Sequence, residues 1–175
     1  MTGADRPLAG GYRIDVFDRQ DRVDARDVID LWLREGALPP AEAERRVAEV
    51  LLVATDRQWR PVAVSTTYLR GSDQLHAELW HMRVFVAAAH RRSGLALELA
   101  LAGRDTLAER FASGTERRGI GVIFEVENEL LKRFFPQAIW PRTGFVFIGE
   151  TPNRSHVRVY YFPGALAPEP PQGSA

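Results

Sequence analysis

The chain contains no cysteine among its 175 residues. This absence excludes disulfide bonds, thiolate-bound zinc and a covalent cysteine intermediate in a group-transfer reaction. An excess of charge of either sign is also absent, because 23 lysine and arginine residues balance 23 aspartate and glutamate residues. A balanced chain has no overall field that would attract nucleic acid or an anionic membrane, so we expect neither as a partner.

Long apolar runs are missing as well. No stretch reaches the roughly twenty apolar residues that a membrane-spanning helix needs, and Met1–Gly11 has no apolar leader-like core. We therefore expect a cytoplasmic protein. The four histidines do not have the spacing of metal ligands, so we expect no metal site; they are His76, His81, His90 and His156.

The composition favours one folded domain. A hydrophobic content of 45% over 175 residues suits a single α/β domain of ordinary size. The patterned region, residues 12–162, is predicted to form this domain. Residues 1–11 lack periodicity and residues 163–175 are rich in proline and glycine. We predict that both ends are flexible.

Hydrophobic periodicity predicts a strand at 12–17, a helix at 23–34 and a second helix that begins at Pro39-Pro40. Three strands follow at 50–55, 61–68 and 77–86, the last entered from a turn at Gly71-Ser72-Asp73. The remaining predicted elements are a long helix, a strand, a short helix and two strands, at 94–112, 120–127, 128–135, 145–149 and 157–162. The order β-α-α-β-β-β-α-β-α-β-β predicts a mixed sheet, parallel at the βαβ unit and antiparallel at the hairpins.

The strand-to-helix turn after Val86 carries the chemistry. Gly94 and Ala96 leave the first helical turn almost bare of side chain. Backbone N–H groups there have no partner inside the helix and can bind an anion. Arg91 and Arg92 add charge and donors suited to phosphate. The alternative reading from spacing alone is that Ser93 caps the helix while the arginines are solvated.

This segment resembles the acyl-CoA-binding motif of the GNAT superfamily of N-acetyltransferases. In that motif a strand passes through an Arg/Gln-x-x-Gly-x-Gly/Ala turn into a long helix, and Arg91, Gly94 and Ala96 match it. Asn128, just after the following strand, matches a second family feature. Gly144-Phe145, which opens the penultimate strand, matches a third. The order of elements over residues 12–162 is also similar.

The resemblance implies the acyl-CoA N-acyltransferase fold. This is an α/β fold with a mixed, mostly antiparallel central sheet, a V-shaped splay between strands four and five, and about four flanking helices. It implies acetyl-CoA, or another acyl-CoA, as the cofactor. A main-chain N–H near Val84 would polarise the thioester carbonyl. The implied cofactor-binding residues are Val84, Phe85, Val86, Arg91, Arg92, Ser93, Gly94, Leu95, Ala96 and Asn128. The alternative for Asn128 is to cap the short helix that follows.

The reaction also needs a base, because an alkylammonium with a pKa of about 10 must lose its proton before it attacks. Glu78 and Glu127 are the candidate catalytic bases, and the alternative is that both are ordinary polar positions. Many relatives carry a tyrosine as general acid on the short helix, where this chain has Phe135. The long connection that follows carries Trp140, which either narrows the acceptor pocket or packs within a loop.

The sequence thus predicts an acetyl-CoA-dependent N-acetyltransferase whose primary amine acceptor attacks directly in a ternary complex. The lack of cysteine favours this route over a covalent enzyme intermediate. The acceptor is a small-molecule or protein amine, and a homodimer is left open. Two alternatives remain: a non-catalytic CoA-binding or protein-interaction module with the same fold, favoured by Phe135, and a plain α/β protein in which residues 91–96 only cap a helix.

Overall fold

The computed structural model describes residue 8 and residues 10–168. Most of the two predicted flexible ends, residues 1–11 and 163–175, lies outside the described residues. Apart from short 3-10 turns, the order of elements is the one predicted from the sequence. The elements are β1 (Arg13–Val16), α1 (Ala25–Arg34), α2 (Pro40–Arg46), β2 (Val50–Thr55), β3 (Pro61–Ser72), β4 (Ala77–Val86), α3 (Leu95–Ala112), β5 (Gly121–Val126), α4 (Glu129–Phe134), β6 (Val146–Glu150) and β7 (His156–Tyr161).

Hydrogen bonding links the seven strands of the described chain in the order β1-β2-β3-β4-β5-β7-β6. The pairs β1–β2, β2–β3, β5–β7 and β6–β7 are antiparallel. Strands β4 and β5 form a parallel pair, and parallel neighbours need a crossover, which α3 provides. The predicted fold class, a mixed and mostly antiparallel sheet with about four helices, is confirmed.

The chain divides into two compact units. The first unit contains the described part of Met1–Tyr68 together with Met82–Thr106, and the second contains Leu69–His81 together with the described part of Leu107–Ala175. Strands β3 and β4 and helix α3 contribute residues to both units.

In the first unit, α1 begins at a capping box. The Asp24 carboxylate accepts the N–H of Asp27 and the Asp27 carboxylate accepts the N–H of Asp24, each at 3.0 Å. Two backbone donors at the start of the helix are thereby satisfied. The apolar face of α1 belongs to a buried core formed by Val23, Val28, Leu31, Trp32, Ala43, Val53, Val64 and Ala87.

Helix α3 lies close to β4 in this unit because of a glycine. A Cβ atom at Gly103 would lie 2.8 Å from the Cε atom of Met82, well inside van der Waals contact. Leu95 and Leu99, both almost fully buried, face the core on the same helix.

In the second unit, Leu79 packs in a core with Ile123, Val157 and Val159. Gly121 opens β5 opposite Tyr161, and a Cβ atom there would lie 2.4 Å from the carbonyl oxygen of Tyr160. The close contact of β5 and β7 at this point therefore requires glycine.

The predicted turn at Gly71-Ser72-Asp73 was wrong in position. β3 continues through Ser72, and the turn occupies residues 73–76, where the Leu75 N–H donates to the Ser72 carbonyl at 3.2 Å. Pairing with the next strand outweighs the weak turn preference of Gly71, since tertiary context overrides local propensity.

None of the helices in the described part of the chain has both the length and the apolar character that spanning a membrane would require.

Candidate functional site

The turn between β4 and α3 presents free backbone donors. Gly94 has a φ of 83°, a conformation that glycine adopts without strain. Its carbonyl accepts the N–H groups of Leu97 and Glu98 at 3.1 and 3.2 Å, which starts the helix. Among the described residues no acceptor meets the N–H groups of Arg92, Gly94 or Ala96. Donors of this kind, at the positive end of the helix dipole, are able to bind an anion.

Ser93 does not act as the main cap of this helix. The residue directly before α3 is Gly94, and the Ser93 hydroxyl donates to the His90 carbonyl at 2.6 Å. The contact from the Leu95 N–H to the Ser93 Oγ atom is long, at 3.4 Å. The geometry therefore favours the anion-site interpretation of the turn over the capping alternative.

The two arginines of the turn are both exposed. The Nε atom of Arg91 donates to the Val86 carbonyl at 3.2 Å, so its side chain lies beside the end of β4. This single bond leaves the two Nη groups of Arg91 as donors. Guanidinium groups bind phosphate oxygens through paired donors. Arg91 and Arg92 therefore supply positive charge next to the free amides.

Two further bonds hold the first half of the turn in place. The Tyr12 hydroxyl lies 2.9 Å from the Nδ1 atom of His90. The Ala88 N–H donates to a carboxylate oxygen of Glu35, also at 2.9 Å. Because Tyr12, just before β1, and Glu35, just after α1, both anchor the turn, its donors are oriented without a ligand, which lowers the entropy cost of binding.

A cavity of about 170 Å³ lies next to the end of β4 in the first unit. Val84 and Phe85 line it, Trp32 contributes apolar wall, and Arg46 and Arg83 contribute charge. An apolar cavity of about 150 Å³ is large enough to hold benzene. This cavity is therefore of the size that accepts a small organic group.

Each cavity arginine is held by a glutamate. Arg46 donates to Glu42 through its Nε and Nη2 atoms, at 3.1 and 2.6 Å. Arg83 donates to Glu49 from its Nη1 atom at 2.7 Å. The hydrogen bond from Arg46 is the main reason that the pKa of Glu42 is lowered. Glu42 and Glu49 do not line the cavity. The charged side chains that line it are those of Arg46 and Arg83, and both are positive.

The two candidate bases lie at different ends of their strands. Glu127 is exposed and directly follows Val126, the last residue of β5. Glu78 is exposed near the start of β4, where its carbonyl accepts the N–H of Ile120 at 3.1 Å. Open α/β sheets bind ligands at the carboxyl ends of their parallel strands, and only Glu127 lies at such an end. Both roles stay predictions.

Asn128 caps α4, as its alternative role predicts. Its Oδ1 atom accepts the N–H of Leu131 at 3.3 Å, and its carbonyl accepts the N–H of Lys132 at 3.1 Å. These bonds satisfy two backbone donors of a helix only six residues long. A contact between Asn128 and a cofactor stays a prediction.

The long connection after Phe135 packs onto β7 through a buried cation. Arg158 is 0% exposed, and its guanidinium donates to the carbonyls of Gln137 at 3.0 Å and Phe135 at 3.4 Å. Its Cζ atom lies 4.2 Å from the centre of the Trp140 ring. Burial lowers the pKa of Arg158. Trp140 thus packs within its own loop, as the packing alternative predicts.

Further backbone bonds join this connection to β6. Ile139 forms an antiparallel bridge with Val146, and the Phe147 N–H donates to the Ala138 carbonyl at 2.7 Å. The Trp140 indole N–H donates to the Phe135 carbonyl at 2.9 Å. Phe135 itself has no titratable group, so it has no proton to give to a leaving group.

A second, open groove of about 500 Å³ lies between α4 and the β6–β7 loop, in the second unit. Its charges are of both signs and pair with one another: Lys132 pairs with Glu129, and the Nε atom of Arg154 lies 4.0 Å from a carboxylate oxygen of Glu150. In the described part of the chain, no cluster of three or more histidine or acidic side chains is arranged to hold a metal.

No protein-family model matches the sequence, and no curated protein matches it. Solved structures do match its fold. A ribosomal-protein-S5-alanine acetyltransferase from Vibrio fischeri matches with a TM-score of 0.57 at 12% identity, over 89% of this chain and 95% of that one. A GNAT family N-acetyltransferase (YhbS) from Escherichia coli, in complex with CoA, matches with a TM-score of 0.55 at 22% identity, over 86% and 81%.

A GNAT family acetyltransferase from Brucella melitensis, in complex with acetyl-CoA, matches with a TM-score of 0.52 at 17% identity, over 94% of both chains. The fold is therefore that of an acyl-CoA N-acyltransferase. Within that class, the chain shares the fold of the GNAT family N-acetyltransferases, as the resemblance of its motifs implies.

Proposed function

We propose that this protein is an acetyl-CoA-dependent N-acetyltransferase that transfers the acetyl group directly to a primary amine. The turn between β4 and α3 is the observation that carries the proposal. It joins three amides without acceptors to two exposed arginines. A pyrophosphate is the part of CoA that matches such a set of donors. The CoA and acetyl-CoA complexes of the structural neighbours support the same cofactor.

In this proposal the residues at the end of β4 hold the rest of the cofactor. Backbone groups of Val84, Phe85 and Val86 bind the pantetheine arm, and an N–H near Val84 polarises the thioester carbonyl. A donor aimed at the oxygen where negative charge develops usually contributes more than any other group to the rate of acyl transfer. Leu95 contributes through its backbone, because its side chain is only 1% exposed. Asn128 contacts the cofactor arm.

We expect reversal of both turn charges, Arg91→Glu with Arg92→Glu, to weaken acetyl-CoA binding by about 30-fold or more. The loss of charge-assisted bonds to phosphate, about 2 kcal/mol, accounts for this change. Isothermal titration calorimetry with acetyl-CoA measures it. A matched control reverses two exposed arginines of α1, Arg26→Glu with Arg34→Glu, and should leave the affinity unchanged. If the wild-type protein does not bind acetyl-CoA at high micromolar concentration, the proposal fails.

Glu127 is the stronger candidate base, because it stands at the carboxyl end of β5. We expect Glu127→Gln to lower kcat/KM for the amine by about 100-fold at neutral pH. Glu78, the other candidate base, lies near the start of β4, so we expect Glu78→Gln to lower kcat/KM by less than Glu127→Gln does. Thiol release from acetyl-CoA is the assay. Full activity in the Glu127→Gln variant would remove this residue from the mechanism.

A second candidate function is a non-catalytic CoA-binding module. Phe135 favours it, because a phenyl ring cannot protonate the leaving thiolate. The two functions differ in one measurement. A catalyst releases thiol from acetyl-CoA in the presence of an amine library, whereas a binding module gives a calorimetric signal with acetyl-CoA and no amine-dependent thiol.

A further inference from the structure

The cavity beside β4 combines positive charge with apolar wall. Arg46 and Arg83 line it together with Trp32, Leu38 and Phe85. Trp32 is 2% exposed, so it forms a fixed wall rather than a mobile surface group. A site of this composition matches a ligand that has an anionic group at one end and an apolar group at the other.

Each of the two arginines has hydrogen-bond donors that do not bond to its paired glutamate. Glu42 accepts the Nε and Nη2 atoms of Arg46, and Glu49 accepts the Nη1 atom of Arg83. Among the described residues, no acceptor meets Nη1 of Arg46 or Nε and Nη2 of Arg83. Arg83 also lies over the Tyr68 ring, with its Cζ atom 4.3 Å from the ring centre. The two guanidinium groups are therefore oriented and retain donors for an anion.

We propose that the acceptor is a small primary amine that carries a carboxylate and an apolar side chain, as a free aliphatic amino acid does. This inference rests on the proposed acetyl transfer and names the substrate class of the same site. Arg46 and Arg83 bind the carboxylate, and the apolar side chain contacts Trp32 and Phe85. The amine is then directed to Val84, which also lines the cavity.

Acetyl transfer requires the unprotonated amine of the acceptor, so its ammonium group first gives up a proton. The proton passes to a base or to solvent water. The nitrogen lone pair then forms the bond to the acetyl carbon as the carbon–sulfur bond breaks. The thiolate leaves with that electron pair and takes up a proton, giving CoA and the N-acetylated acid.

The inference is tested first on the wild-type protein by comparing each acceptor with its own amide. Leucine, isoleucine and methionine are assayed by thiol release from acetyl-CoA, beside leucinamide, isoleucinamide and methioninamide. We expect kcat/KM for an acid to exceed that for its amide by at least about 20-fold, because the amide leaves the arginine donors without a charged partner. 3-Methylbutylamine, which is leucine without its carboxylate, should be at least as poor as leucinamide.

Variants then assign the preference to the cavity. We expect Arg46→Gln and Arg83→Gln to raise KM for the acids by about 10-fold or more while KM for the amides is unchanged. Arg45→Gln is the matched control, because Arg45 also pairs with Glu42 but is exposed and does not line the cavity. It should keep the preference of the wild type.

The outcomes separate this inference from the proposed function. If acetyl-CoA binds and amines are acetylated, but amides are used as well as acids, the carboxylate inference is overturned and the proposed function stands. The carboxylate inference is also overturned if Arg46→Gln and Arg45→Gln raise KM for the acids equally. If acetyl-CoA does not bind, the proposed function fails and the inference fails with it. The wild-type comparison decides the question even where a variant does not fold.

Discussion

Replacing Arg158 with alanine is expected to lower the free energy of unfolding by about 3 kcal/mol, as large truncations in protein cores do. The side chain is fully buried in β7 and donates to the backbone of the connection after α4. Its removal leaves the carbonyls of Phe135 and Gln137 with fewer donors. It also leaves a space below Trp140, whose ring stacks on the guanidinium.

Urea unfolding followed by circular dichroism measures this loss. Arg154→Ala is the matched control, since it removes the same charge from a side chain that is 86% exposed, and we expect a change within about 0.5 kcal/mol. Arg158→Met retains most of the buried volume and should lose less than alanine. Hydrogen exchange at the amides of Trp140 and Phe147 should accelerate in Arg158→Ala. Equal unfolding midpoints for Arg158→Ala and Arg154→Ala would contradict the prediction.

Gly121→Ala is the second change with a large expected effect, and we expect it to lower the free energy of unfolding by about 3 kcal/mol, at the upper end of overpacking costs. The new methyl group would lie 2.4 Å from the Tyr160 carbonyl oxygen and 3.1 Å from the Tyr161 Cα atom. Both are backbone atoms, so no side-chain rotation relieves the clash. Strands β5 and β7 must separate at their first pair.

Gly71→Ala is the control for this substitution. Gly71 also lies in a strand, but a Cβ atom there has nothing within 4 Å. We expect its free energy of unfolding to change by about 0.5 kcal/mol or less, in either direction. Thermal unfolding of both variants beside the wild type gives the comparison. A Gly121→Ala protein as stable as Gly71→Ala would show that the two strands tolerate a wider spacing.

Sequence patterns were sufficient for the order of elements and for the position of the turn between β4 and α3. Both depend on local chemistry: apolar spacing for the helices and strands, and the bare helix start at Gly94 for the turn. The capping role of Asn128 could also be predicted from the sequence, because an N-cap forms hydrogen bonds with residues only a few positions away. The turn before β4 was misplaced, since strand pairing decided it and local preference did not.

Two parts of the site could not be found from sequence. Arg158 alternates with Val157 and Val159, a pattern that predicts a solvent-facing polar residue. Its burial arises from a loop that precedes it by many residues and folds back over it. Similarly, Arg46 and Arg83 lie on α2 and β4, and only the packing of these elements brings both to one cavity. Non-local packing of this kind leaves no local signal.

The connection after Phe135 also has a consequence for how copies of this protein behave toward one another. β6 is the last strand in the order of the described sheet, and a strand in that place offers unpaired backbone groups to any other chain. Here the bridge from Ile139 to Val146 and the bond from Phe147 to Ala138 occupy part of that side from within. The loop therefore protects the sheet edge against strand-to-strand aggregation, and shortening it would expose that edge and promote self-association.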